Sequence, residues 1–227
     1  MVRAGFAPFA IDRNIPPGVN DPAIIPRIVI LHVDGGNAAS LYEYFGARSG
    51  GIESHFYVKR NGLIEQYRSI YQEADANYLA NPFAVSIETQ GYGEGEWNAA
   101  QIESINRILS WLYVETNGGI PLTKCPTWNG AGVGYHVQFG APGKWTPVAK
   151  SCPGVSRIKQ FNDVIVPGLV ALRRALEAGK ESMTTEIEKR IIESLTRLEE
   201  MARVALGAEQ ERTALARAAQ INQARKW

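Results

Sequence analysis

The sequence predicts an α/β domain with a central mixed β-sheet flanked by helices, followed by a long C-terminal helix. Two runs, 27–33 and 84–89, are rich in apolar and β-branched residues, as buried strands are. A periodic apolar stripe over 98–118 is typical of an amphipathic helix. Strands mixed with intervening helices favour one sheet whose ligand site lies at strand ends and in loops.

The chain begins with an irregular lead-in over residues 1–26, which are rich in proline, asparagine and aspartate. The first strand, 27–33, is the most apolar run of the sequence and ends in a histidine. A short helix over 41–45 follows, and the hydroxyl of Ser40 is a candidate N-cap for it.

Residues 55–67 are predicted to form a β-hairpin. The Asn61-Gly62 pair at its centre predicts a type I′ turn, because both residues tolerate positive φ. A further strand over 84–89 completes the strands that the sequence predicts.

One helix has clear boundaries in the sequence. Asn98 is a candidate N-cap with Gln101 three residues later, the spacing of a capping box. Gly118 is a suitable stop. Residues 119–154 read as loops, and two further helices are expected over 156–161 and 164–176.

The composition changes at Gly179, which predicts a catalytic domain over 1–178 and a helical extension over 179–227. From Lys180 onward the chain has no proline and only one glycine. Apolar residues there alternate spacings of four and three, a heptad pattern that predicts a coiled coil and weak self-association of the chain. The seam consists of Ile191, Leu195, Leu198, Ala202 and Ala205. An alternative assigns the basic end of the helix to anionic wall polymers or a membrane surface.

Overall charge and segment composition exclude several classes. The formal net charge of +1 gives no whole-molecule field that favours nucleic acid. No run approaches the length of a membrane span, and the N-terminus lacks the pattern of a signal peptide. We therefore expect synthesis and initial retention in the cytoplasm. Cys125 and Cys152 could form a disulfide, which a reducing compartment disfavours and which would prevent Cys152 from binding metal.

Three residues form a candidate zinc site. His136 and Cys152 frame a loop-rich stretch, and His32 ends the first strand, which would hold it rigidly. Imidazole and thiolate both suit zinc, and a catalytic zinc site has three protein ligands and one open position. The alternatives are that each histidine is a core residue bonded to a backbone carbonyl and that Cys152 is an inert buried thiol.

Several motifs together resemble the zinc-dependent N-acetylmuramoyl-L-alanine amidases of type 2, whose fold peptidoglycan recognition proteins share. They are an apolar strand ending in histidine, the stretch GVGYH and the stretch KSCPG, over roughly residues 25–165. The stretch SHFYVKRNGLIEQY is most similar to endolysins of phages that infect mycobacteria and their relatives. The resemblance implies that His32, His136 and Cys152 bind Zn²⁺.

The resemblance also implies catalytic residues. Lys150, two residues before Cys152, would stabilise the transition state. Some members of the family place a tyrosine before the histidine of the hairpin, but this sequence has Ser54 there. Other members carry a glutamate on a strand, and Glu88 fits that position as general acid and base. His55 matches a position that is not a ligand in the family.

The implied function is cleavage of the amide between N-acetylmuramic acid and L-alanine in bacterial peptidoglycan, by a phage endolysin. Such an enzyme would be made in the host cytoplasm and would reach the cell wall after release by a holin. Two alternatives remain open at this point: a thiol peptidase that uses Cys152 and His136, and a non-catalytic peptidoglycan-binding module.

Overall fold

The computed structural model describes residues 3–16, 21–47 and 52–224, and the side chains of the C-terminal helix through Ser194 and at Thr196. The chain separates into two compact units, Met1–Ala175 and Leu176–Trp227. In the described part of the chain, no helix combines the length and the apolar character that crossing a membrane requires.

The first unit is built on one mixed sheet of six strands in the order β1-β4-β3-β5-β2-β6. Only the pairing of β3 with β4 is antiparallel, and all other neighbours are parallel. The strands are β1 Ile11–Asp12, β2 Ile28–Leu31, β3 Phe56–Val58, β4 Ile64–Gln66, β5 Ala84–Thr89 and β6 Gly132–Tyr135. The predicted mixed sheet with flanking helices is confirmed.

The described residues also form four α-helices. They are α1 Tyr42–Gly46, α2 Ala99–Glu115, α3 Val155–Gln160 and α4 Val166–Ala224. A 3₁₀ segment, Asp75–Phe83, precedes β5, and a π-helical turn, Phe161–Ile165, joins α3 to α4.

Strand β2 lies between β5 and β6 and is buried along its whole length. Its parallel neighbours are β5 and β6, so both faces and both edges of β2 are covered, which explains its continuous apolar sequence. The carboxyl ends of these three strands meet at one edge of the sheet. Each strand can therefore deliver a side chain to the same place.

Helix α2 matches the prediction in detail. The Asn98 side chain accepts a hydrogen bond from the Gln101 backbone N–H, and the Gln101 side chain accepts from the Asn98 backbone N–H, which is a complete capping box. The buried face consists of Gln101, Ser104, Ile105, Ile108, Leu109 and Leu112.

The hairpin turn differs from the prediction. Lys59 pairs with Leu63 through a backbone hydrogen bond of 2.9 Å, and the Gly62 N–H donates to the Lys59 carbonyl at 3.0 Å. Gly62 has a φ of 84°, whereas Asn61 is not among the residues with positive φ. The connection is a three-residue loop with glycine in the left-handed position, and the predicted type I′ turn is wrong.

The cap of α1 also differs. The N-cap position is Leu41, one residue after the predicted Ser40. The Ser40 hydroxyl accepts from the Tyr42 N–H at 3.2 Å and donates to the buried Glu65 carboxylate at 2.6 Å. Ser40 thus ties the start of this helix to the hairpin.

Strand β6 lies inside the stretch that the sequence predicts as loops. The two glycines of β6 prevented its prediction as a strand, because glycine is depleted in strands. A Cβ atom at Gly132 would lie 2.5 Å from the Thr123 carbonyl oxygen, and one at Gly134 would lie 2.7 Å from the Trp145 ring. Close packing on both faces therefore requires glycine at these positions.

The C-terminal helix begins earlier than predicted and contains no break at Gly179. Val166–Ala224 is one helix, so the separate helix expected at 164–176 is its first part. Ile191 is 54% exposed, and the Glu186–Arg190 ion pair forms at 3.1 Å. The side chains of Leu195, Leu198, Ala202 and Ala205, which complete the predicted seam, lie outside the described residues.

Candidate metal centre and catalytic groups

The two candidate histidine ligands follow neighbouring strands. β2 and β6 pair in parallel with Leu31 opposite Tyr135. His32 and His136 directly follow the last residues of these two strands. Their ring centroids lie 4.2 Å apart, and both side chains are almost fully buried. The sheet register therefore fixes the distance between these imidazoles.

Cys152 reaches the histidines from the loop that precedes α3. Its Sγ accepts a hydrogen bond from the Val33 backbone N–H at 3.3 Å and lies 3.9 Å from His32 Nδ1. One potential ligand atom from each of His32, His136 and Cys152 lies within 4.8 Å of the other two. The three residues singled out in the sequence thus converge in space.

Hydrogen bonds at the far side of each ring orient the histidines. His32 Nε2 lies 2.8 Å from Asn77 Oδ1, and His136 Nε2 lies 3.0 Å from the Trp145 carbonyl oxygen. Because both partners are acceptors, each Nε2 carries the proton and each Nδ1 keeps its lone pair. His136 Nδ1 is buried and has no hydrogen-bond partner among the described residues. This is the arrangement of metal-binding histidines with outer-shell partners.

The protonation preferences suit ligation by the histidines. Burial lowers the pKa of His32 well below its usual value, and the nearby His136 lowers it further. Burial lowers the pKa of His136 to about 4, with the Lys150 ammonium as the next cause. Both rings are therefore neutral at pH 7, the form that binds a metal.

The geometry fits zinc. Tetrahedral coordination with Zn–N near 2.05 Å and Zn–S near 2.3 Å places nitrogen and sulfur about 3.6 Å apart, close to the observed 3.9 Å between His32 Nδ1 and Cys152 Sγ. Burial raises the pKa of the Cys152 thiol to about 12, and the Glu88 carboxylate raises it further. A thiolate here needs a cation beside it, which a divalent metal ion provides.

Glu88 lies beside this cluster on β5. Its Oε1 is 3.8 Å from His32 Nδ1, and its buried Oε2 has no hydrogen-bond partner in the described part of the chain. Burial raises the pKa of Glu88 to about 8, the Asp34 carboxylate raises it further, and the Lys150 ammonium opposes both. A carboxyl group with a pKa near neutrality can both accept and return a proton.

Asp34 is held in place by three donors. The backbone N–H groups of Gly36 and Gly91 donate to its Oδ1 at 3.1 and 2.9 Å, and the Tyr57 hydroxyl donates to its Oδ2 at 2.8 Å. Burial and this hydrogen bond raise the pKa of Tyr57, so the hydroxyl stays protonated. Tyr57 therefore acts as a donor here.

Lys150 lies over an open cavity at the cluster. A cavity of about 340 Å³ is lined by His32, Asp34, Glu88, His136, Lys150 and Cys152, together with apolar side chains that include Leu41 and Phe45. A second cavity of about 400 Å³ shares Ile52, Asp75, Ala76, His136 and Lys150 with it. Together they form a groove that passes the cluster.

A family comparison identifies the fold and the chemistry associated with it. The sequence pattern of the N-acetylmuramoyl-L-alanine amidase family matches residues 21–155, more than half of the chain. The chain belongs to this family. The match spans His32, Glu88, His136, Lys150 and Cys152.

Solved structures share the fold of this amidase-family chain at low sequence identity. N-acetylmuramoyl-L-alanine amidase LysC from Clostridium intestinale has a TM-score of 0.51 and 18% identity, over 68% of this chain and 94% of that one. Drosophila peptidoglycan recognition protein SA has a TM-score of 0.51 and 10% identity, over 69% and 93%. PlyL has a TM-score of 0.50 and 16% identity, over 71% and 94%. No curated protein sequence matches the chain.

The structure places His55, Trp145 and Cys125 in the interior of the domain. His55 is buried away from the groove, where its Nε2 donates to the Gln72 carbonyl and its Nδ1 accepts from the Ser86 N–H. Trp145 is fully buried in the core, and its carbonyl, rather than its ring, serves the cluster through His136. Cys125 is a buried free thiol in the same core.

Three residues at the site were missed in the sequence. Asn77 orients His32 from a 3₁₀ segment, and no local pattern marks it. Asp75 lines both cavities and precedes Asn77 by two residues. Asp34 could have been found, because a carboxylate directly after a buried strand often lies at the ligand edge of a sheet.

Proposed function

We propose that the chain is a zinc-dependent N-acetylmuramoyl-L-alanine amidase. Its reaction is hydrolysis of the amide between N-acetylmuramic acid and L-alanine of the stem peptide in bacterial peptidoglycan. The observation that carries the proposal is the convergence of His32, His136 and Cys152 at one end of an open groove that Glu88 and Lys150 also line. Membership of the amidase family supports the bond assignment.

In this proposal His32 Nδ1, His136 Nδ1 and Cys152 Sγ hold the metal. Zinc, when bound, supplies Lewis-acid activation of a water molecule at neutral pH. The Asn77 and Trp145 oxygens keep both Nδ1 lone pairs directed at the metal. Two neutral imidazoles and one thiolate leave a positive net charge at the centre.

In this proposal Glu88 transfers the proton, and Lys150 stabilises the negative charge of the transition state. The Glu88 carboxylate takes the proton of the attacking water and returns it to the leaving L-alanine amine. The Lys150 ammonium, on the rim of the groove, donates to the carbonyl oxygen as negative charge develops there. Asp34, held by Tyr57 and two backbone N–H groups, raises the proton affinity of Glu88.

The competing thiol peptidase has less support. A thiol nucleophile needs a low pKa and a histidine that receives its proton. Here burial, and next the Glu88 carboxylate, raise the pKa of Cys152 to about 12, which opposes formation of the thiolate. A non-catalytic binding module would not need Glu88 and Lys150 around a complete ligand set.

We further propose that the enzyme serves as a phage endolysin, made in the host cytoplasm and acting on the wall after holin release. The sequence resemblance supports this role. Host lysis in cells that coexpress a holin, compared with cells that express the amidase alone, tests it.

Mass spectrometry of peptidoglycan digested by the purified chain tests the reaction. The proposal predicts free stem peptides that begin with L-alanine, together with glycan carrying unsubstituted lactyl groups. Cleavage between peptide residues, or of the glycan, would contradict it. Binding to peptidoglycan with no released product would instead support the non-catalytic module.

A further inference from the structure

The loop that carries Cys152 is held by the segment 91–97. Two side chains of α3, which follows this loop, bond to the backbone of that segment. The Ser156 hydroxyl donates to the Glu94 carbonyl at 3.3 Å. The Gln160 side chain accepts from the Trp97 N–H at 2.7 Å and donates to the Trp97 carbonyl at 3.0 Å. Helix α3 and the segment 91–97 are therefore fastened to one another.

Among the α3 side chains that bond to neighbouring backbone, Arg157 bonds closest to Cys152. Its fully buried guanidinium donates from Nη1 to the Tyr92 carbonyl at 2.7 Å and to the Pro153 carbonyl at 3.2 Å. Pro153 directly follows Cys152. In the part of the chain that the structure describes, no carboxylate lies within ion-pair distance of Arg157. Burying an arginine without a counter-ion is costly, so its role is expected to lie in these backbone contacts.

The backbones around Arg157 approach one another closely. A Cβ atom at Gly91 would lie 2.6 Å from Arg157 Nη2, and one at Gly154 would lie 1.8 Å from the Gly93 carbonyl oxygen. Gly154 also has a φ of 95°. Glycine is therefore required on both sides of the contact, and the distance between the two loops is fixed.

The segment 91–97 is also connected by hydrogen bonds to His32, another proposed zinc ligand. The Trp97 indole N–H donates to Thr89 Oγ1 at 2.8 Å, and the Thr89 hydroxyl donates to the His32 carbonyl at 2.6 Å. A buried chain of hydrogen bonds thus runs from α3 through Trp97 and Thr89 to the backbone of His32. The loop of Cys152 and the strand of His32 share one support.

We propose that Arg157 is a positioning residue that sets Cys152 Sγ at ligand distance from the two histidines. This inference rests on the zinc site of the proposed function. Without the guanidinium, the Tyr92 and Pro153 carbonyls lose their buried donor, and the residue next to Cys152 loses its direct bridge to the segment 91–97. Outer-shell partners of this kind change metal affinity by about 10- to 100-fold.

The test compares R157Q and R157K with the unaltered chain and with K159Q, a control on the same helix whose exposed side chain pairs with Asp163. The Kd for zinc is measured by chelator competition, and the thiolate-to-metal charge-transfer absorption is measured after saturation with Co²⁺. R157Q should raise the Kd about 10- to 100-fold and weaken the cobalt–thiolate absorption. R157K keeps the charge but not the planar fork, so its Kd should lie between the two. K159Q should match the unaltered chain.

Each outcome decides a separate point. Unaltered Kd and absorption in R157Q, even with a lower Tm, would give Arg157 a merely structural role and overturn the inference. If R157Q does not fold, an unaltered Kd in R157K overturns it equally. An unaltered chain that binds no stoichiometric zinc would overturn the metal site itself, and the inference with it.

Discussion

Replacing His55 with glutamine should reduce the acid sensitivity of the fold. His55 is fully buried, its Nε2 donates to the Gln72 carbonyl at 2.9 Å, and its Nδ1 faces the Ser86 N–H donor at 3.1 Å. A second proton on Nδ1 would face this backbone N–H, and the Ser86 hydroxyl oxygen 3.1 Å away already accepts from the His55 backbone N–H. Burial accordingly lowers the pKa of His55 from 6.5 to about 4.

The sign and size follow from this pKa. Between pH 6.5 and 4 the unfolded chain binds a proton at His55 that the folded chain does not bind, so the free energy of unfolding falls as the pH falls. From pH 7 to pH 4.5 this histidine alone should remove about 2 kcal/mol, at roughly 1.4 kcal/mol per pKa unit. Below pH 4 both states are protonated and the loss stops growing.

Urea unfolding of the unaltered chain and H55Q at both pH values measures this. The Gln side chain can still donate to the Gln72 carbonyl, and any pH-independent cost of the substitution cancels in the double difference. Zinc is held at the same concentration in all samples, so the metal contribution cancels as well. Equal pH dependence of the unfolding free energy in the two proteins would show that His55 does not cause this acid sensitivity.

Three further predictions concern the site and the C-terminal helix. Glu88→Ala and Lys150→Ala should each lower kcat by about 100-fold or more while zinc content, read by elemental analysis, stays near one per chain; full turnover in Glu88→Ala would mean that another group is the base. Cys152→Ala should lose zinc and activity together, and activity that survives in this variant would exclude the proposed ligand set. We also propose that the chain self-associates weakly, at about micromolar concentration, through the helical seam. Sedimentation velocity should then show that Ile191→Glu combined with Leu198→Glu is monomeric, whereas Thr196→Glu, off the seam, associates like the unaltered chain; a monomeric unaltered chain would reject the seam.

The fold could be predicted where local signals agree with burial. β2 has a continuous apolar run, β5 is rich in apolar and β-branched residues, and α2 has both a capping box and a buried stripe. β6 could not be predicted, because its glycines are set by the Thr123 carbonyl and the Trp145 ring, which lie elsewhere in the chain. The turn at Asn61-Gly62 shows the same limit, since the pair is compatible with two hairpin geometries.

The candidate ligands could be predicted because their residue types are rare and chemically distinctive. The chain has three histidines and two cysteines, which leaves few combinations. Their outer partners were not predictable, because Asn77 and the Trp145 carbonyl are defined only by tertiary contacts. Arg157 likewise has an ordinary helical position in the sequence, and only its burial reveals its contact with the Cys152 loop.

Zinc-edge X-ray absorption of the purified chain tests directly whether His32, His136 and Cys152 bind zinc. The account predicts one zinc per chain with two imidazole nitrogens at about 2.0–2.1 Å, one sulfur at about 2.3 Å and one further light atom. The sulfur contribution should disappear in Cys152→Ala. A spectrum of the unaltered chain without a sulfur neighbour, or a preparation without stoichiometric zinc, would contradict the proposed centre of His32, His136 and Cys152.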